Sequence, residues 1–341
     1  MPQQEEINRA RIELDLLLRG FQVSRMLRLV ADLGIADYIN PDDNLSLSDL
    51  AADCGVQPQP LLRILRALAA FAIFAIAPDG SVSHTPRSRL LRTDASNSMH
   101  HAARYWTAEG PWKAWDKVDV ALTGEMIPHE AAWGMSRFDY LQANPGEARL
   151  FDAMMAHFPD DRHTAIAAAY DFSGARLIAD IGGGDGTTLH HILTRFPTPS
   201  GLLFEREDVI RSIPHDKLLG GRISLVGGSF FESIPTGADI YMLTRVLHNW
   251  PDADCLRVLR ACRSAMKPDA LLLLGEQILE PDPADGRPTD YLLDVQMMVM
   301  FGSARTRTES EFTSLLANSG FVMRRIVPTR SPVSLVEAVP A

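Results

Sequence analysis

Cysteine is scarce in this sequence, and its three cysteines, Cys54, Cys255 and Cys262, form no CxxC pair and no metal-ligand spacing. That excludes a disulfide framework and a zinc module, so no metal site is expected and a reducing, cytoplasmic setting fits best. Cys255 and Cys262 stand two helical turns apart, as packing residues do. No stretch approaches the ~20 uninterrupted apolar residues of a membrane-spanning helix. The opening residues MPQQEEINRARIELD are rich in acids and lack an apolar core, so no secretory leader is expected. Positive charge is in deficit: 33 Lys and Arg against 43 Asp and Glu leave a formal charge of −10. An acidic chain repels a phosphate backbone, which argues against a nucleic-acid partner. Internal repeats and low-complexity tracts are absent.

The chain has 341 residues, 46% of them apolar, enough for a sizeable core in two domains or one large one. Its organising stretch is Leu177–Gly186, LIADIGGGDG. The apolar run reads as a buried parallel strand. Thr187–Arg195, with Leu189, Ile192 and Leu193 at helical spacing, reads as the helix that follows. The glycines therefore occupy a strand-to-helix turn, where backbone approaches a ligand with no Cβ in the way. A dinucleotide fingerprint, G-x-G-x-x-G, would need a third glycine where Thr187 stands. The pattern that fits is D-x-G-x-G-x-G, on Asp180, Gly182, Gly184 and Gly186. An ordinary glycine turn is the plain alternative. The pattern resembles motif I of class I methyltransferases, which bind S-adenosylmethionine (SAM); the resemblance implies that Asp180 faces the ammonium of the cofactor's methionine end. Glu205 ends the next strand, LLFE, where a carboxylate can accept both hydroxyls of an adenosine ribose.

Upstream, residues 8–39 carry apolar positions at helical spacing, among them Leu14, Leu17, Leu18 and Phe21, and Gly34 ends the second helix. Ser48 is placed to N-cap a short helix that Gly55 closes, a second helix runs from about Pro60 to Ala70, and Pro78-Asp79-Gly80 turns between two short extended pieces. This is a winged-helix outline. Residues 45–86 hold two arginines, Arg63 and Arg66, against Asp49, Asp53 and Asp79, and the second helix offers leucine rather than base-reading amides, so dimerisation is expected instead of DNA binding. The apolar surface of residues 8–39 with the Leu61–Leu68 helix is the expected homodimer face. Residues 100–170 are dense in aromatic residues and methionine, including Tyr105, Trp106, Trp112, Trp115, Trp133, Phe138, Tyr140, Phe151 and Phe158. Most of these should pack between domains, while a few line a cleft for a flat apolar ligand.

From Leu177 strands and helices alternate. Strands are expected at 177–181, 202–205, 222–226, 239–243, 270–276, 321–327 and 333–338. The alternation argues for an α/β, Rossmann-like doubly wound sheet. The short turn Thr329–Pro332 makes the last two strands antiparallel. The expected division is a helical, winged-helix-like dimerisation domain over 1–100 and a SAM-binding catalytic domain over 101–341, with 101–170 a helical linker lining the substrate cleft.

Ala238–Leu256, ADIYMLTRVLHNWPDADCL, strongly resembles the homodimeric small-molecule O-methyltransferases that include plant caffeate-type and bacterial antibiotic-pathway enzymes. The resemblance spans nearly the whole chain, through GGSFFESIP at 227–235, GEQIL at 275–279 and RTESEF at 307–312. It implies His248 as general base, Glu276 as the acid that orients it, and Ser229, Phe230 and Thr244 beside the cofactor. Met155, Met297, Met298 and Phe301 match positions lining the substrate pocket. The chemistry is consistent: with a pKa near ~10, only about one phenol in a thousand is ionised at neutral pH, and an imidazole can take the proton as the hydroxyl attacks. A capping histidine satisfied by a glutamate is the bland alternative.

Three positions depart from the family pattern. Ser229 stands where an acid usually follows G-G, Asn249 where an aspartate follows the histidine, and Thr306 where a second supporting glutamate falls, with Arg305 restoring no carboxylate. Some relatives keep SAM while hydroxylating, decarboxylating or catalysing pericyclic steps. A repurposed SAM-binding enzyme of that kind is the alternative to methylation of a hydroxylated aromatic or polyketide-like small molecule. A non-enzymatic winged-helix regulator stands behind both.

Overall fold

Apolar residues three and four apart dominate the first third of the chain, and there the backbone coils into helices. The structure, a computed structural model, describes residues 2–156 and 161–341; Phe158 lies outside the described residues. It divides into two units: one holds the chain up to Lys113 and the segment beginning at Tyr140, the other Ala114–Asp139 and the described chain from Asp161 onward.

In the first unit, Gly34 (φ +65°) follows helix Gly20–Asp32, and helices Leu47–Asp53 and Pro58–Ala69 lead into β1 (Phe74–Ile76) and β2 (Val82–His84). The two strands pair antiparallel across a turn at Gly80, and Leu45 bridges to Val82, completing the wing. Ser46, not Ser48, caps helix Leu47–Asp53. Its extended backbone lets Oγ accept the Asp49 N–H at 3.1 Å, whereas Ser48 already lies inside the first turn. Leu61, Leu65 and Leu68 turn into the unit's own core with Ile35, Leu50 and Phe74, so these three leucines are not available to a partner, while Leu62 is half-buried outside that core. Among the described residues of this unit, the most exposed large apolar side chains are on the first two helices: Leu17 is 77% exposed, Leu18 69% and Phe21 55%.

In the second unit, mostly apolar runs form seven strands, the central ones buried on both faces and Phe321–Val327 half-exposed with two arginines. These are β3 (Leu177–Ile181), β4 (Ser200–Glu205), β5 (Ile223–Gly227), β6 (Ile240–Thr244), β7 (Leu271–Gln277), β8 (Phe321–Val327) and β9 (Val333–Pro340). The sheet order is β5-β4-β3-β6-β7-β9-β8, parallel from β5 to β7, with β9 antiparallel to both neighbours. Helix Asp252–Ala265 packs Cys255, Val258, Leu259 and Cys262 on one face of the sheet. Helix Thr187–Arg195 packs Leu189, Ile192 and Leu193 on the other. The chain winds from β3 outward to β5, then returns to β6, so the switch point lies between β3 and β6, where such sheets hold their ligands. No described helix is long and apolar enough to cross a membrane.

Candidate active site

β3 delivers Asp180 to the switch point, and the glycine turn folds over it. Gly182, Gly184 and Gly186 all have positive φ, at +68°, +59° and +78°. Gly183, which the motif spacing passes over, is the most crowded of the four. A Cβ there would meet the Asp180 carboxyl at 2.5 Å and Leu203 at 2.6 Å. Asp180 is fully buried and neither of its oxygens has a hydrogen-bond partner among the described residues. Burial, then the nearby Glu205 and Asp185, push its pKa up to about 7. Asp185 itself is held below the ordinary carboxylate range: burial opposes this, but Lys217 and Thr187 outweigh it. Lys217 lies 32 positions away, and no local spacing announces that pair.

Glu205 at the end of β4 accepts the Gly184 N–H at 3.0 Å and the Arg206 N–H at 2.8 Å. Gly228 N–H donates to the Glu205 carbonyl, which brings Ser229 and Phe230 alongside. Ser229 Oγ accepts the Phe231 N–H at 3.3 Å, so its hydroxyl shapes its own turn. Phe230 lies 3.4 Å from where a Gly182 Cβ would stand, and packs edge-on with Phe231 and Trp250. Thr244 ends β6 with its buried Oγ1 unsatisfied among the described residues. The structure thus gathers Asp180, the glycine turn, Glu205, Ser229 and Phe230 at the carboxyl ends of β3 and β4, with Thr244 at the end of adjacent β6. A buried, partnerless carboxyl among other acids suits a cation, and the bare backbone of the turn suits close approach.

Just past β6 stands Arg245, a non-glycine residue at φ +59°, whose N–H donates to the Gly275 carbonyl at 2.8 Å. The chain then makes the single turn Leu247–Asn249. His248 is buried there, its Nδ1 2.9 Å from Glu276 Oε2, and Leu247 N–H donates to the other carboxylate oxygen at 2.8 Å. Burial opposes ionisation of Glu276, but the imidazole, Arg245 and the Leu247 N–H hold it below its ordinary range. An ionised carboxylate only accepts, so His248 Nδ1 carries the hydrogen and Nε2 keeps its lone pair. Burial, then the charge of Arg245, keep the histidine's pKa below its ordinary value despite Glu276.

Two of the three departures, Ser229 and Asn249, use their side chains in local turns, whereas Thr306 leaves its buried Oγ1 without a hydrogen-bond partner among the described residues. Asn249 Nδ2 donates to the Arg245 carbonyl at 3.3 Å and caps the turn. Thr306 is buried, its N–H donating to Asp294 Oδ1 at 2.8 Å. Arg305 pairs with Asp252 and Glu311, so it points its charge away from position 306. Met297, Met298 and Phe301 share helix Pro288–Phe301, which packs on the Leu247–Asn249 turn. Phe301 stacks near Phe138, and Gln296 of the same helix accepts the Trp115 Nε1–H at 2.6 Å. Met155 belongs to the other unit, beside Ala102, Tyr105 and Met154.

An open parallel sheet with a reversed strand β9, a glycine turn over a buried acid and a carboxylate ending the second strand define a class I methyltransferase. Residues 115–322 match the O-methyltransferase domain and residues 16–94 the O-methyltransferase dimerisation domain. The phenazine O-methyltransferase of Lysobacter antibioticus is 35% identical over 330 residues, covering 95% of this chain and 94% of the relative. The solved structure of the mitomycin 7-O-methyltransferase MmcR matches with a TM-score of 0.89 at 31% identity, over 99% of this chain and 100% of that one. CalO1, a methyltransferase of calicheamicin biosynthesis solved with S-adenosylhomocysteine bound, matches with a TM-score of 0.85 at 27% identity, over 98% of each chain. The chain belongs to the O-methyltransferase family and is a SAM-dependent O-methyltransferase.

Proposed function

We propose that this enzyme methylates a hydroxyl of a planar aromatic or polyketide-like small molecule, with His248 Nε2 as the base. The observation that carries this reading is the buried His248–Glu276 pair, whose hydrogen bond at Nδ1 leaves Nε2 as the proton acceptor. Asp180, the Gly182–Gly186 turn, Glu205, Ser229, Phe230 and Thr244 would hold SAM. When bound, SAM supplies an electrophilic methyl group on a sulfonium centre. Glu276 steadies the imidazolium that forms as His248 takes the hydroxyl proton. Charge is cancelled rather than created in this transfer, so orientation and exclusion of water weigh more than an oxyanion hole. Met297, Met298 and Phe301 supply an apolar lining suited to a flat ring. Relatives named for phenazine and for 3-amino-4-hydroxybenzoate support a hydroxylated aromatic acceptor.

Turnover of a panel of hydroxylated aromatics, read as S-adenosylhomocysteine released per product, tests the reaction. His248→Ala should lose ~10²–10⁴ in kcat with SAM affinity unchanged, and wild-type kcat/KM should fall only below about pH 6.5, the side to which the histidine is shifted. An unimpaired His248→Ala would remove the histidine from the chemistry.

Residues 1–100 would form the dimerisation domain and 101–341 the catalytic domain of a cytoplasmic homodimer that binds no nucleic acid. The exposed leucines of the first two helices support this. Light scattering should give twice the chain mass at micromolar concentration; a monomer would refute it.

A further inference from the structure

Sixty residues beyond the base turn, one arginine has all its donors committed. Arg307 is 1% exposed. Its Nη1 donates to the Leu247 carbonyl at 3.0 Å and the Arg305 carbonyl at 3.3 Å. Its Nη2 donates to the Trp250 carbonyl at 2.9 Å and to Asp252 Oδ1 at 2.7 Å, and Nε reaches the same oxygen at 3.0 Å. These five contacts use the five N–H groups a guanidinium owns. Leu247 and Trp250 flank His248, so the fork grips the base turn on both sides. Asp252 opens the helix that follows.

The main chain of the same residue holds the other half of the pair. Arg307 forms a parallel bridge with Ile278, and its carbonyl accepts the Leu279 N–H at 3.0 Å. Glu276 lies two residues before that bridge. One residue thus fastens the turn carrying His248 through its side chain and the strand end carrying Glu276 through its backbone. Cys255 Sγ also donates to the Leu247 and Trp250 carbonyls, at 3.2 and 3.4 Å, but a thiol is too weak a donor to replace a guanidinium.

We propose that Arg307 is the positioning residue that sets the distance and angle between His248 and Glu276. The inference rests on His248 being the base. Lysine fails in this place because three donors on a flexible stem cannot reproduce a rigid five-donor fork. A displacement of about 1 Å at a reacting group costs up to ~10²-fold in rate.

The test uses the full-length enzyme as Arg307→Lys and Asp252→Ala, with His248→Ala as reference. Each is read by kcat and KM and by SAM affinity in calorimetry, and the two variants that keep the imidazole also by the proton resonance of His248 Nδ1–H. Arg307→Lys should lower kcat ~10- to 100-fold, leave the SAM dissociation constant within twofold, and shift the Nδ1–H resonance. Asp252→Ala should move each readout the same way by less. Unchanged kcat and resonance in a folded Arg307→Lys protein overturn the proposal, as does a loss shared equally by SAM binding. If Arg307→Lys does not fold, Asp252→Ala decides by the same criteria. A fully active His248→Ala would sink the base reading alone, because the resonance reports the geometry of the pair whether or not it is catalytic.

Discussion

A carboxylic acid that keeps its proton to about pH 7 is a poised receptor for a cation. Asp180 is in that state because burial comes first, with Glu205 and Asp185 adding like charge. An ammonium group arriving beside it favours the ionised form, so below neutrality the acid must give up its proton as the ligand binds. SAM affinity should therefore strengthen as pH rises from about 5 to 7. Calorimetry at pH 6 in buffers of differing ionisation enthalpy should register proton release, and Asp180→Asn should abolish both effects. Binding that is indifferent to pH would show that Asp180 does not meet the ligand's charge. The positions of Asp180 and Glu205 were legible in the sequence, Asp180 from its spacing to the glycines and Glu205 from the end of the next strand, because strand ends and the turn sit at fixed offsets. Lys217 and Arg307 were not legible as partners. Their contacts reach across 32 and across 55 to 60 positions, where no local period operates.

The glycine turn shows how far an element can be read from its letters. Its existence, its strand and its helix follow from apolar pattern, and β3 and helix Thr187–Arg195 begin and end where that pattern does. Several other strands run one or two residues past the apolar run, since the last ladder bonds depend on a neighbour rather than on the strand itself. What spacing cannot supply is why each glycine is there. Gly184 needs its freedom for backbone: φ is +59° and a Cβ would face open space. Gly183 has no positive φ, and its constraint is the acid and leucine packed beneath it. Gly184→Ala should cost about 1–2 kcal/mol through the left-handed backbone alone. Gly183→Ala should cost ~1–3 kcal/mol by overpacking and also displace Asp180. Thermal melts measure the first quantity, and only Gly183→Ala should also erase the pH dependence of SAM binding. Equal loss of that dependence in both would mean the steric account of Gly183 is wrong.

Across the molecule, buried imidazoles set the response to acid. Burial lowers His129 and His163 to about 4, with neighbouring arginines adding to it, and His248 is lowered as well. The unfolded chain protonates these groups near pH 6.5, while the fold refuses the protons of His129 and His163 down to about pH 4 and shifts His248 in the same direction. Their stabilisation is therefore complete above 6.5 and drains away as pH falls toward 4. Asp180 works the other way, since its raised pKa stabilises the fold as pH drops below 7, and Asp152 and Asp294 are raised too, but His84, His100 and His191 are lowered alongside the first three histidines. The melting temperature of the ligand-free protein should fall steadily between pH 6.5 and 4.5. A melting temperature that holds constant or rises over that range would contradict the buried, neutral state of these histidines.

The order of the sheet carries a consequence for how the protein is made. β9 follows β8 in the chain but is wedged between β7 and β8, where Ser334 lies opposite Glu276. During synthesis β7, the strand that bears Glu276, emerges about sixty residues before its neighbour β9. Until residues 333–340 leave the ribosome, β7 presents an open, leucine-rich edge, and β8 has nothing to dock against. Unpaired edges of this kind are where nascent chains associate wrongly. The neighbourhood of the His248–Glu276 pair is therefore completed late in translation, and a premature stop before Val333 would release a chain with an unfinished, adhesive sheet.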